Sequence, residues 1–279
     1  MQFLFHFLNA YAFDCPKSSI DRIGTVDSLQ TNEISGIGFY REQLYVHNDS
    51  GDEAKIYVMN VNGDLTATHQ IDVKSAIDWE DMAIGSLKGT VQLFVGDIGD
   101  NEEKREHVLV HALPIDNLSP VKTWTVTYES KQPRDAEGLA FDPIDSRLYI
   151  LTKGRNGTIE LYQSPILDDS TSSLTLQVVA LFPISENLDP HPIYMGTALD
   201  ISPDGTLLIM RNYLHAYLWQ RDEKQQWKDV LKEPPCKIRL PKQRQGESLA
   251  FRSSTSLMTI SEGKNQSIFE IKLRFSDDK

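Results

Sequence analysis

Apolar and polar residues alternate along most of this chain in short runs, and the runs come in sets. Five segments open each set: Ser35-Gly36-Ile37-Gly38-Phe39, Glu80-Asp81-Met82-Ala83-Ile84, Glu137-Gly138-Leu139-Ala140-Phe141, Thr197-Ala198-Leu199-Asp200-Ile201 and Glu247-Ser248-Leu249-Ala250-Phe251. A turn follows each, then a second run that is apolar until its polar end. These are Leu44-Tyr45-Val46-His47-Asn48, Leu93-Phe94-Val95-Gly96-Asp97, Leu148-Tyr149-Ile150-Leu151-Thr152, Leu207-Leu208-Ile209-Met210-Arg211 and Leu257-Met258-Thr259-Ile260-Ser261. A third run comes next, as in Lys55-Ile56-Tyr57-Val58-Met59 and His215-Ala216-Tyr217-Leu218-Trp219. The first four sets add a fourth, for example Lys122 to Tyr128. Asn62-Gly63, Asn156-Gly157 and Pro203-Asp204-Gly205 supply turn chemistry between runs. Helical periodicity is nearly absent. Sets of four strands recurring every 45 to 60 residues, roughly, are the arithmetic of β-propeller blades.

The fifth set ends after three strands, so a closed ring needs another strand from elsewhere, because an open edge invites aggregation. Asp21-Arg22-Ile23-Gly24-Thr25-Val26 reads as that strand. The expectation is an all-β chain forming a single propeller, with four antiparallel strands per blade and the N-terminal strand closing the last blade. Five blades follow from the visible sets; a degenerate sixth inside the longer second or third set is the alternative. The propeller domain then covers residues 17–279.

Residues 1–16 stand apart. Met1 to Leu8 is a short apolar run, and Ala10-Tyr11-Ala12 has the A-x-A form of a signal-peptidase site. The segment reads either as a signal-peptide remnant or as an N-terminal arm, and export to the periplasm or exterior is favoured over the cytoplasm. Cys15 and Cys236 are the only cysteines. They either pair, tying the N-terminus to the body, or remain two buried thiols.

Composition narrows the function classes. The 279 residues are 40% apolar and 24% charged, which suits a folded globular chain. No apolar run approaches the length of a membrane-spanning helix. A net charge of −12 gives no electrostatic footing on phosphate backbones, so nucleic acid is not an expected partner.

The strings His47-Asn48-Asp49-Ser50-Gly51-Asp52, Asp78-Trp79-Glu80-Asp81, Gly96-Asp97-Ile98-Gly99-Asp100-Asn101, Arg134-Asp135-Ala136-Glu137-Gly138, Leu151-Thr152-Lys153 and Gln245-Gly246-Glu247 together stand out. They resemble those of a bacterial β-propeller family that has no assigned activity. The resemblance runs from about residue 32 to the end and implies the fold more than an activity. The D-x-E-G string is also distantly similar to esterase-like phytase and gluconolactonase propellers. That resemblance implies a divalent cation in the central channel, serving phosphate-ester or lactone chemistry.

Propeller geometry turns the repeats into a candidate site. The innermost strand of each blade lines the channel, so its first residues form one ring at a mouth: Ser35, Glu80, Glu137, Thr197 and Glu247. The ends of the second strands add Asn48, Asp97, Thr152, Arg211 and Ser261, with Asp49, Lys153 and Glu262 one residue further out. Three glutamates in one ring repel one another, which raises their pKa values or demands a cation. An oxygen set of Glu80, Glu137, Glu247, Asp97 and Asn48 suits Ca²⁺ better than Mg²⁺, and suits either better than a soft metal. Alternatively, these acids accept hydrogen bonds from neighbouring blades or pair with Arg211 and Lys153. Arg211, Lys153, Thr152, Ser261 and Glu262 are the candidate ligand contacts, with the two cations suited to a phosphate or carboxylate. If the site is catalytic, Glu137, Asp97, Arg211 and Lys153 are the candidates, with a metal-bound water as nucleophile.

Two acidic loops, Asp49 to Asp52 and Asp97 to Asn101, read as turn formers or peripheral Ca²⁺ ligands. His47 is expected to pack in the core, Trp79 to wedge between blades, and His191 to sit in a loop above the fourth blade. The functional expectation is binding of a small anionic molecule at the channel mouth by a monomer. A metal-dependent hydrolase and a non-catalytic scaffold for a protein or glycan partner are the alternatives.

Overall fold

The computed structural model describes residues 13–26, 30–49, 51–74, 76–168, 170–184 and 194–276. Nearly every regular element among them is a strand; the one helix is a single turn, α1 (Trp227–Val230). The strands form consecutive antiparallel meanders. The first unit is β2 (Ile34–Tyr40), β3 (Gln43–Asn48), β4 (Lys55–Asn60) and β5 (Leu65–Gln70). The second is β6 (Trp79–Leu87), β7 (Thr90–Asp97), β8 (Val108–Pro114) and β9 (Lys122–Tyr128), and the third is β10 (Ala136–Asp142), β11 (Arg147–Thr152), β12 (Thr158–Gln163) and β13 (Ser173–Pro183). A fourth holds β14 (Gly196–Ile201), β15 (Leu207–Asn212), β16 (His215–Gln220) and β17 (Cys236–Arg239). The last holds β18 (Ala250–Ser253), β19 (Ser256–Thr259) and β20 (Ser267–Arg274), and its fourth strand is β1 (Lys17–Thr25).

The expected closing strand is therefore present. β1 lies antiparallel on β20, with Lys17 opposite Arg274 and Thr25 opposite Ser267. A disulfide joins Cys15, just before β1, to Cys236 at the start of β17. It ties the closing strand to the neighbouring unit. One join was not legible in the pattern: β13 pairs in parallel with β9, Ser173 to Leu176 against Thr125 to Tyr128, so the second and third units merge at their outer edges.

The run-on apolar character of the second strands has a direct cause. In a strand, successive side chains point to opposite faces. Each sheet here is covered on both faces by its neighbours, so both sets of positions must be apolar. In the third unit Leu139, Phe141, Leu148 and Ile150 pack with Phe94 and Trp124 of the second unit. The alternate residues Ala140, Tyr149 and Leu151 pack with Leu199, Leu208 and Met210 of the fourth. Further cores fill the joints between the fourth and last units, the first and second, and the last and first. The ring is thus held by cores between sheets. Fully burying a Leu, Ile or Phe side chain contributes about 1.5–3 kcal/mol, so these joints are the main cohesive force.

Trp79 fills the joint between the first and second units, as expected, with the His47 ring edge-on at 5.5 Å and the His111 ring at 6.0 Å. His47 is fully buried, in agreement with a packing role. Between the third and fourth units, Arg221 Nη2 bonds Asp142 Oδ1 at 2.6 Å while Trp227 Nε1 donates to Asp142 Oδ2 at 3.1 Å.

Candidate functional site

The innermost strands β2, β6, β10, β14 and β18 contact one another in succession around the axis, and β18 returns to β2. The first four each break register near their first residues: between Ile34 and Ile37, Trp79 and Asp81, Ala136 and Gly138, and Gly196 and Ala198. The skipped residues include Ser35, Glu80, Glu137 and Thr197, the ring positions read from the repeats. A bulge inserts an unpaired residue and re-aims its side chain. The same device, four times over, presents these residues at one end of the channel.

Their fates differ. Ser35 Oγ donates to the Glu80 backbone oxygen at 2.5 Å, and Thr197 Oγ1 to that of Gly246 at 3.2 Å, so both stitch neighbouring units. Glu80 and Glu137 instead enter an acidic cluster. Carboxylate oxygens of Asp49, Asp78 and Glu80 lie within 4.8 Å of one another, as do those of Glu80, Asp135 and Glu137. Glu80 belongs to both triads. All but Asp49 are buried.

Pairing separates the two triads chemically. Asp135 accepts Arg155 Nε at 2.5 Å and the Asp100 N–H at 2.9 Å, and Glu137 is bonded by Lys153 Nζ. Those charges are compensated. Among the described residues, the Asp78 carboxylate receives only a long contact from Asn101 Nδ2, at 3.4 Å. The Glu80 carboxylate receives no hydrogen bond and no ion pair from the described residues, although Glu80 is 4% exposed. Burial, reinforced by Glu137, Asp49 and Asp78, pushes the Glu80 carboxyl well above its usual range. Burial and the charges of Asp49 and Asp135 push Asp78 up to about 6. Glu137 is raised by burial against the pull of Lys153, whose own ammonium is held charged by Glu137 and Glu80.

The loop after β7 makes room for this cluster. A Cβ on Gly99 would lie 2.4 Å from both Asp78 Oδ2 and Glu80 Oε1, so only glycine fits beneath them. Asp97, expected as a metal ligand, is fully buried and serves the loop instead: its oxygens accept the Ile77 and Asp78 N–H groups, and Oδ1 pairs with Arg105 at 2.8 Å. Asp100 accepts the N–H groups of Lys104 and Arg105. Both carboxylates thus accept hydrogen bonds from the backbone of and around their own loop.

The remaining expected residues spread out. Asn48 donates to Gln30 O and Asp52 Oδ2, both at 2.7 Å, beside an open groove of about 670 Å³ lined also by Glu33, Lys55 and Tyr57. Thr152 Oγ1 accepts the Glu160 N–H, and Ser261 Oγ exchanges bonds with the Gln245 backbone. Arg211 is 1% exposed and bonds Ser248 O, Thr259 Oγ1 and Gln243 Oε1, which places it as a tie between the last two units. Glu247 accepts the Tyr213 hydroxyl. Glu262, bonded by Gln245 Nε2, is pushed up by burial and by Glu247 beside it. Neither belongs to the two triads, although the Glu247 charge reaches Glu137. His191 lies outside the described residues.

The expected ligand set omitted Asp78 and Asp135, and a signal for both was present. Each stands two residues before a ring glutamate, in D-W-E and D-A-E. In two adjacent repeats the same spacing delivers a second carboxylate to the same place.

No protein-family profile matches the chain, and no curated protein sequence matches it. Solved structures do resemble it. The PQQ-bound aldose sugar dehydrogenase from Streptomyces coelicolor superposes with a TM-score of 0.52 at 11% identity, covering 94% of this chain and all of that one. The WD40 repeats of RRP9 give 0.47 at 15% identity, over 92% of this chain and all of that one. A protein of unknown function from Bacteroides thetaiotaomicron gives 0.49 at 10% identity, over 93% and 76%. The sugar dehydrogenase is β-propeller-like, and at 11% identity the likeness concerns fold alone.

Proposed function

We propose that the chain is a five-bladed propeller whose acidic mouth holds a divalent cation and, through it, binds a small oxyanion. The observation that carries this reading is Glu80: a buried carboxylate, unbonded among the described residues, shared by two acid triads whose other members flank it. A buried charge without a partner is costly enough that it neutralises or acquires a counter-charge. Asp49, Asp78 and Glu80 are the proposed ligands, with Glu137 alongside. An all-oxygen set fits Ca²⁺ or Mg²⁺, and Ca²⁺ is favoured because its 6–8 ligands, roughly, tolerate irregular geometry. Three protein carboxylates leave coordination positions for water and for a carboxylate or phosphate group. Lys153, bonded to Glu137, adds positive charge at the same mouth. The Cys15–Cys236 disulfide supports export to an oxidising compartment.

The test is thermal melting with Ca²⁺ and with chelator. A ligand that binds only the folded state stabilises by about 2.7 kcal/mol at a hundredfold excess over Kd. A shift of about 2–5 °C is expected for a chain of this size. In Glu80→Gln the calcium response is expected to vanish, and phosphate or citrate should shift the wild type further only when calcium is present. Equal melting with calcium and chelator would remove the cation; a calcium shift with no oxyanion effect would leave a structural ion.

A further inference from the structure

The channel has a second mouth, further along the same innermost strands. A cavity of about 250 Å³ opens there, and every innermost strand contributes to it. Its wall is mainly apolar, with Phe39 from β2, Met82 and Ile84 from β6, Phe141 from β10, Ile201 from β14 and Phe251 from β18, while Ser86 and Ser202 are its small polar members. One carboxylate stands among them, that of Asp200 on β14. We propose that this mouth binds a small organic ammonium ion, its hydrocarbon body against the apolar wall and its NH₃⁺ group on Asp200.

The Asp200 oxygens are only partly used. Oδ2 accepts the Phe251 N–H at 2.6 Å and Oδ1 accepts the Ile201 N–H at 2.8 Å. A carboxylate has about four acceptor positions, so it retains capacity toward the cavity. No Lys, Arg or His of the described residues lies within ion-pair distance of it. Arg252, whose guanidinium sits 5.1 Å over the Phe39 ring, is committed to Glu42 at 2.6 Å and Glu270 at 3.2 Å. The titratable neighbour facing Asp200 from β6 is Asp81, itself an acid.

The ligand class follows from these contacts. A phosphate or sugar would lose its hydration against six apolar side chains that return no hydrogen bond. A fatty acid or other carboxylate would meet Asp200. A primary ammonium ion attached to a hydrocarbon body supplies the missing counter-charge and fills the apolar volume, which equals that of about eight waters. The carboxylate and the apolar wall together select one class that neither selects alone.

The experiment is calorimetric titration of the intact protein with cyclohexylammonium and with its neutral counterpart cyclohexanol. Cyclohexylammonium should bind at least about tenfold more tightly than the alcohol. Asp200→Asn should remove that preference while leaving the weak binding of the alcohol. Ile84→Trp, which fills the cavity and keeps the carboxylate, should abolish binding of both, and it serves if Asp200→Asn does not fold. Equal affinity for the two probes, no heat with either at about 10 mM, or unchanged ammonium binding in Ile84→Trp would each overturn the proposal.

Discussion

The two mouths of the channel are built from the same five strands and have opposite chemistry. At the starts of the strands, bulges free the side chains of Glu80 and Glu137 from the ladder, and the mouth is acidic. Towards the ends of β2, β10 and β14 pairing is regular, Phe39, Phe141 and Ile201 pack against the preceding unit, and the mouth is mainly apolar. One inserted residue in each of four of the five strands thus sets the polar end apart from the apolar one. Between them stands Asp81. It is 1% exposed, its Oδ2 accepts Leu139 N–H at 2.9 Å and Leu199 N–H at 3.3 Å, and its Oδ1 accepts Met82 N–H at 2.8 Å. One carboxyl therefore ties three units together between the two ends of the innermost strands.

Breaking that partition should have the largest effect. Asp81→Ala leaves three buried N–H groups without their acceptor, at about 1–3 kcal/mol for each. A loss of about 3–5 kcal/mol is expected, read as a lower urea midpoint with little change in slope. Both the calcium response and ammonium binding should weaken together, since the variant disturbs the floor that both mouths share. A midpoint within error of the wild type would mean that the layer between the mouths is not what holds them apart.

A smaller effect separates the mouths by pH. The Asp78 carboxyl rises from 3.8 to about 6 on folding. The folded state therefore holds that proton more tightly, and the stability this brings is complete below pH 3.8 and lost as pH rises through 6. The metal-free protein should lose about 2–3 kcal/mol between pH 4 and 7 from Asp78 alone, with Glu80 shifted in the same direction. Calcium should remove this loss, because a bound cation favours the ionised form. Asp200, raised to about 7 by burial, gives a loss of the same sign that calcium leaves in place. Urea midpoints across that range, with and without calcium in an Asp200→Asn background, report the acidic mouth as the part of the loss that calcium removes. A flat metal-free profile there would show that its acids are already compensated.

The fold was largely legible because it is periodic. Four-stranded sets, the closing strand and the ring positions all follow from alternation and repetition, which sequence carries directly. The site was legible only in outline. Glu80 and Glu137 sit where the repeats place them, but pairing depends on loops that have no period. Arg105, eight residues past Asp97, turns back onto it. Lys153 faces Glu137 across the β10–β11 hairpin. Arg211, read as a mouth cation, lies inside the joint between the last two units because its neighbours Ser248 and Thr259 present oxygens there. The apolar mouth was not legible at all, since Phe39, Phe141 and Phe251 look in sequence like any core residues of a strand.

The smallest expected effect is the sharpest test of whether the mouths are independent. A Cβ on Gly38 would sit 2.7 Å from Ile84 Cδ1, the movable end of a side chain in the apolar wall. Gly38→Ala should therefore change stability by no more than about 1 kcal/mol, because relief at Ile84 offsets the added methyl. It should narrow the cavity and weaken cyclohexylammonium binding. The calcium shift should be untouched, because the substitution lies on the far side of Asp81 from Glu80. Combined with Glu80→Gln, the two changes should add within about 0.5 kcal/mol, as sites without shared partners do. A coupling of about 1 kcal/mol or more in that cycle would mean the mouths communicate through Asp81. The channel would then be one site with two ends.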